Sequence, residues 1–197
     1  MKSTRILLTS FTALALLAGC GGSSMADMDD MADDTSVDAA KDAIGFNDAD
    51  VMFAQMMIPH HEQAIEMSDI ALDPTVGASD VVKSLATRIK GAQDPEIATM
   101  KAFLTTWKKG LTPDSSMDHS DSMSGMLSGE DITKLSSLRG AEFDRAWMTS
   151  MIAHHEGAIE MAKEVLEDGK DTAVKALATA VATAQDSEIL EMKELLG

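Results

Sequence analysis

Residues 57–67 read MIPHHEQAIEM, and residues 151–161 read MIAHHEGAIEM. The two copies lie 94 positions apart (His60 to His154) and differ only at Pro59 against Ala153 and Gln63 against Gly157. Phe53, Met57, His61, Ala64, Ile65 and Ser68 follow the spacing of a helix with one buried stripe. Trp147, Met151, His155, Ala158, Ile159 and Ala162 repeat that stripe in the second copy. His61 and His155 are therefore expected to point inward. His60 and His154 lie about 100° further round the helix. They share a flank with Met56, Ala64 and Met67, or with Ala158 and Met161, near a seam between helices.

The repeat continues past the histidines. Residues 92–101, AQDPEIATMK, match residues 184–193, AQDSEILEMK. Each half thus reads as a helical hairpin of one design. One hairpin cannot bury its apolar face alone, so two should pack into an all-α four-helix bundle with pseudo-two-fold symmetry. The first helix is expected over 47–72, ended by Asp73-Pro74, because a residue before proline avoids the α region. Ser79 or Asp80 caps a second, which runs to about 109. A third is expected over about 137–167, stopped at Asp168-Gly169, and Asp171 caps a fourth that runs to 196. Repeat one spans 46–109 and repeat two 137–197, joined by a Met, His and Ser-rich loop over 110–136. No stretch shows the alternation of a strand.

The ends and the charge narrow the function. Lys2 and Arg5 precede an apolar run from Ile6 to Ala18, whose end leads into Leu17-Ala18-Gly19-Cys20. This is the layout of a bacterial secretory signal over residues 1–19. Its end resembles a lipobox, which implies cleavage before Cys20 and lipid on that cysteine. Residues 20–45 have few large apolar side chains and read as a flexible tether to an envelope membrane. Cys20 is the one cysteine, which excludes an intrachain disulfide and a thiolate metal cluster. The net charge of −17 argues against nucleic acid as a partner.

Four of the five histidines stand in the two copies, and neutral imidazole is the commonest metal ligand. Met57 and Met151 lie one turn before His61 and His155, so thioether and imidazole can meet one ion. Met67 and Met161 lie two turns after His60 and His154 on the same flank. Met56 pairs with His60 in the first copy, where Ser150 stands in the second. Thioether sulfur is soft and suits Cu(I), while imidazole takes Cu, Zn, Fe and Ni, so the mixture points to copper, as Cu(I), Cu(II) or both. The methionines also read as plain core filler. Glu62 and Glu156 are expected either to orient imidazoles or to lie on a solvated face. Gln93 and Gln185 sit on apolar stripes and need partners, and the inward histidines are the expected ones. Met117, His119, Met123 and Met126 in the central loop are further metal candidates, or parts of a polar linker. Pro59 and Pro95 have no counterparts in the second half and should distort the first. Pro95 could instead start a new helix capped by Asp94.

Phe53, Met57-Ile58, His60-His61, Ala64 and Met67, followed by Gln93, Glu96-Ile97 and Met100, resemble the domain-of-unknown-function family 305. Trp147, Met151-Ile152, His154-His155, Ala158 and Met161, followed by Gln185, Glu188-Ile189 and Met192, match it a second time. The resemblance implies a ferritin-like helical fold and copper handling in the cell envelope, and it does not imply an enzyme. Two other readings stand beside copper buffering or delivery. One is a ferritin-like metal oxidase, although no glutamate lies three residues before any histidine of either pair. The other is a structural or interaction lipoprotein whose buried histidines hold no metal.

Overall fold

Asn47 opens the first repeat with a capping box. Its side chain accepts from the Asp50 backbone N–H at 3.1 Å, and its own N–H donates to the Asp50 carboxylate at 2.8 Å. Helix α1 (Asp48–Leu72) follows. Ser79 caps α2 (Asp80–Thr106), and Asp171 caps α5 (Thr172–Leu196). The computed structural model describes residues 45–113 and 124–197, and among these every regular element is helical. The signal over 1–19, Cys20, nearly all of the tether, Met117, His119 and Met123 lie outside the described residues.

Two boundaries differ from the sequence reading. The stretch 110–136 is not all loop: α3 (Gly129–Ser137) forms within it. Ser128 caps it, Glu130 and Asp131 stand in its first turn against the helix dipole, and Leu135 is its buried anchor. The next helix, α4 (Gly140–Asp168), therefore starts a few residues later than expected. It stops where expected, but Gly169 has an ordinary φ of −70° rather than a left-handed one. The glycine makes room instead, since a Cβ there would stand 2.7 Å from the Asp50 carboxylate. Neither proline breaks its helix: α1 runs through Pro59 and α2 through Pro95, so no new segment starts at Asp94.

Helix α1 packs along α2 and α4 along α5, and the two hairpins meet mainly through α1 and α4. Equivalent aspartates lock each hairpin to the other's turn. Asp50, fully buried, accepts from the backbone N–H of Lys170 at 3.0 Å and of Asp171 at 3.1 Å. Asp144, its counterpart in α4, accepts from the Ser79 N–H at 3.1 Å. Trp147 adds a buried bond, its indole N–H donating to the Met67 carbonyl at 2.9 Å. Phe46 and Trp107 stack at 4.6 Å beside Phe103 and close one end of the first hairpin.

The bundle has two apolar cores rather than one. The first gathers Met67, Leu85, Ile89, Trp147, Met151 and Met192. The second gathers Phe53, Met57, Ile97, Met100, Met161 and Val181. In each helix of the two hairpins the switch between cores falls at a polar residue: His60-His61 in α1, Gln93 in α2, His154-His155 in α4 and Gln185 in α5. A polar layer thus crosses the middle of the bundle.

Replacing Asp50 by alanine removes the acceptor of these turn N–H groups. Urea unfolding should show a loss of about 1–3 kcal/mol. Alanine at the exposed Asp69 should stay within about 0.5 kcal/mol of the parent.

Candidate metal centre

The four histidines are fully buried, and each pair divides by partner rather than by depth. His60 and His154 meet across the α1–α4 seam, with ring centroids 3.8 Å apart and planes tilted by 41°. His154 and His155 lie 6.4 Å apart, centroid to centroid. His61 and His155 face the second arm of their own hairpins. His61 Nε2 donates to Glu96 Oε2 at 2.8 Å, and His155 Nε2 donates to Glu188 Oε2 at 2.8 Å. These two glutamates are the partners that sequence reasoning assigned to Gln93 and Gln185. The signal for them was present, because Glu96 and Glu188 hold the same place in the second repeated motif. It could not be read without knowing how the hairpin arms are registered.

Gln93 and Gln185 are buried, at 2% and 3% exposure, and neither amide oxygen nor amide nitrogen has a partner. The same holds for Nδ1 of all four histidines and for Nε2 of His154. Among the described residues, every buried side-chain nitrogen or oxygen without a hydrogen bond belongs to these six residues. Buried polar groups are ordinarily paired, and each unpaired one costs about 1–3 kcal/mol. Their concentration in one layer marks a place that fits a ligand with several acceptor contacts to make.

Burial holds the His60 imidazole down to about 3, with His61 and His155 adding and the Ser124 hydrogen bond opposing. Burial also pushes His154 well below its ordinary value; repulsion from His60, His155 and His61 adds to it, and the His60 backbone opposes it. Both are thus neutral near pH 7, the form that ligates metal. Among the described residues no three His, Cys, Asp or Glu side chains stand as a ready ligand set. An ion held by these imidazoles needs further donors. Met57 and Met151, fully buried one turn before His61 and His155, and the amide oxygens of Gln93 and Gln185 are the candidates.

The other expected residues fall elsewhere. Met67 and Met161 are buried but sit two turns, about 10 Å, along the helices from the His60–His154 crossing. Met67 lies in one apolar core and Met161 in the other, with Met56 beside Met161. Glu62 and Glu156 are half exposed and form equivalent ion pairs with Lys101 and Lys193 at 2.9 and 3.0 Å. They do not orient an imidazole. Met126 lines an open hollow with Leu135, Ser150 and Ala153 on the α3 side of α4.

The two halves are inequivalent, and a strap at residues 124–127 makes them so. Gln63 holds it by a reciprocal pair, accepting from the Leu127 N–H and donating to the Leu127 carbonyl, both at 2.8 Å. The Ser124 carbonyl accepts from His60 Nε2 at 3.3 Å. Gly125 is left-handed (φ +80°) and lies so close to Ala153 that a Cβ would stand 2.9 Å from its carbonyl carbon. A Cβ on Gly157 would overlap the Ser124 carbonyl outright. Gln63 and Gly157, one of the two positions where the copies of the helix differ, are thus the clamp and the gap for this strap. The strap also lies against the His154 backbone but gives its ring no carbonyl partner.

Because His60 and His154 are depressed in the fold, the unfolded chain takes up protons below pH 6.5 that the native chain refuses. Stability of the metal-free protein should be complete above that pH and fall as pH drops toward 3. Thermal unfolding across this range should show the decline, and His60→Leu/His154→Leu should flatten it.

The comparisons agree with this architecture. A DUF305 protein from Streptomyces coelicolor, named as a candidate secreted protein, is 32% identical with a TM-score of 0.68, covering 75% of this chain and 91% of that one. A DUF305 fragment from Deinococcus radiodurans is 30% identical with a TM-score of 0.69, covering 78% and 99%. CopM in its Cu(I)-bound form is 29% identical with a TM-score of 0.60, covering 74% and 94%, and it is also known in Cu(II)-bound and Ag-bound forms. Protein L153 of Acanthamoeba polyphaga mimivirus is 40% identical over 53 residues, which span 27% of this chain and 35% of that protein. The family model described as "Domain of unknown function (DUF305)" matches residues 50–196. The chain belongs to the DUF305 family.

Proposed function

We propose that this protein binds copper in the polar layer of its bundle and buffers or delivers it in the cell envelope. One observation carries the reading: among the described residues, nine buried polar atoms lack partners, all on four histidines and two glutamines of one layer. Four imidazoles, the thioethers of Met57 and Met151, and two amides form a donor set of nitrogen, sulfur and neutral oxygen. Such a set suits Cu(I) and Cu(II) and leaves hard cations such as Ca²⁺ or Mg²⁺ without carboxylates. The similarity to CopM, a protein bound to Cu(I), Cu(II) and Ag in its solved forms, supports the same assignment. Met67 stands in the apolar core on one side of the layer, and Met56 and Met161 in the core on the other.

The N-terminal residues support a location. The basic start, the apolar run and Leu17-Ala18-Gly19-Cys20 support export with a lipid on Cys20 and the bundle outside the cytoplasm. An oxidase reading has less support, because Glu96 and Glu188 are engaged by His61 and His155 instead of standing free to bridge two ions.

Competition titration of the chain from Cys20 onward should give a Kd below about 1 µM for Cu(I) or Cu(II). Silver, a redox-inert stand-in, should stabilise the fold by about 2.7 kcal/mol at a hundredfold excess over Kd. Leucine at all four histidines should abolish both effects. Weaker binding that survives those changes removes the proposal and leaves a metal-free structural protein.

Lipidation has its own test. Cys20→Ser should move the protein from the membrane fraction to the soluble envelope fraction and end labelling by radioactive palmitate. Unchanged fractionation and labelling would remove the anchor.

A further inference from the structure

Three of the four imidazoles are engaged through the same nitrogen. His61 Nε2 donates to Glu96 Oε2 and His155 Nε2 donates to Glu188 Oε2, each at 2.8 Å. His60 Nε2 donates to the Ser124 carbonyl at 3.3 Å. In all three residues Nδ1 is buried and bare. A carbonyl or a carboxylate can only accept, so the proton of each neutral ring stands on Nε2 and the lone pair on Nδ1. The two glutamate pairs arise independently, one per hairpin, from equivalent positions and with equal lengths. Both carboxylates remain at the rim, at 19% and 17% side-chain exposure, while their histidines are fully buried.

We infer that Glu96 and Glu188 are positioning residues that hold His61 and His155 as Nε2–H tautomers, so that the polar layer presents Nδ1 to its ion. The inference rests on the metal-binding reading and names the ligating atom within it. A carboxylate behind an imidazole fixes the ring's rotation and raises the basicity of the opposite nitrogen. Removing it frees the ring to turn and to move its proton to Nδ1, where a proton and a metal cannot coexist. The strap's Ser124 carbonyl does the same work for His60. His154 has neither a carboxylate nor a strap carbonyl on its ring, so either of its nitrogens could serve an ion.

Long-range proton–nitrogen NMR spectra of the imidazoles in the metal-free protein should show His61 and His155 protonated at Nε2. Glu96→Gln/Glu188→Gln keeps an acceptor oxygen and should keep this tautomer, with silver affinity lowered by less than about tenfold. Glu96→Leu/Glu188→Leu should show both tautomers and bind silver about 10- to 100-fold more weakly, with an unchanged helical spectrum. Protonation at Nδ1 in the parent protein overturns the inference. So does a leucine variant that folds, keeps one tautomer and binds silver as the parent does. If the parent shows Nε2–H and binds neither silver nor copper, the copper reading fails and the tautomer assignment stands.

Discussion

A layer of histidine and glutamine divides this bundle into two apolar cores, and most of its design follows from the need to keep that layer dry and ordered. Each unpaired polar group in it costs about 1–3 kcal/mol, against a total stability of about 5–15 kcal/mol for a typical domain. Nine such atoms are too many to carry for packing alone. The two cores hold the layer in place from either side. Trp147, Met151 and Leu85 stand on one side, and Phe53, Met57 and Met100 on the other, all but Phe53 at zero exposure. Asp50 and Asp144 pin each hairpin to the opposite turn, which fixes the register of α1 against α4. That register is what places His60 against His154.

The internal repeat supplies symmetry, and the strap removes it at the polar layer. Both hairpins hold an inward histidine against a glutamate at 2.8 Å and carry the same lysine–glutamate pair outside it. The strap from Ser124 to Leu127 touches both α1 and α4 but bonds to one histidine only. Gln63 grips it, and Gly157 leaves space for it. The expectation that Pro59 and Pro95 would make the halves differ had the right outcome and the wrong cause. Both prolines are absorbed into continuous helices, and the asymmetry comes from a backbone carbonyl delivered by the connection between repeats.

Much of the site was legible in the chain before folding. The stripe through Phe53, Met57 and His61 predicted burial correctly, because helical periodicity translates directly into a facing surface. The assignment of Glu62 and Glu156 remained open for the same reason. They flank the stripe, and only the lysine of the neighbouring arm decides that they stay in water. Gln93 was read as the partner of an inward histidine, yet the partner is Glu96, three residues on. One turn of register between two antiparallel helices exchanges the two, and no periodicity within either helix specifies that register.

The sequence by itself determined the four long helices, the doubled hairpin and the burial of six polar residues, since these depend on local spacing and on which side chains water rejects. The tertiary structure alone decided which nitrogen His60, His61 and His155 commit to a hydrogen bond, that His60 and His154 meet at 3.8 Å, and that His60 is the one that bonds to a backbone carbonyl. Those outcomes depend on contacts between residues 33 to 94 positions apart (His155 to Glu188, His60 to His154), where antiparallel register and a crossing loop bring groups together. Chain proximity carries no information over such distances, and complementary packing does.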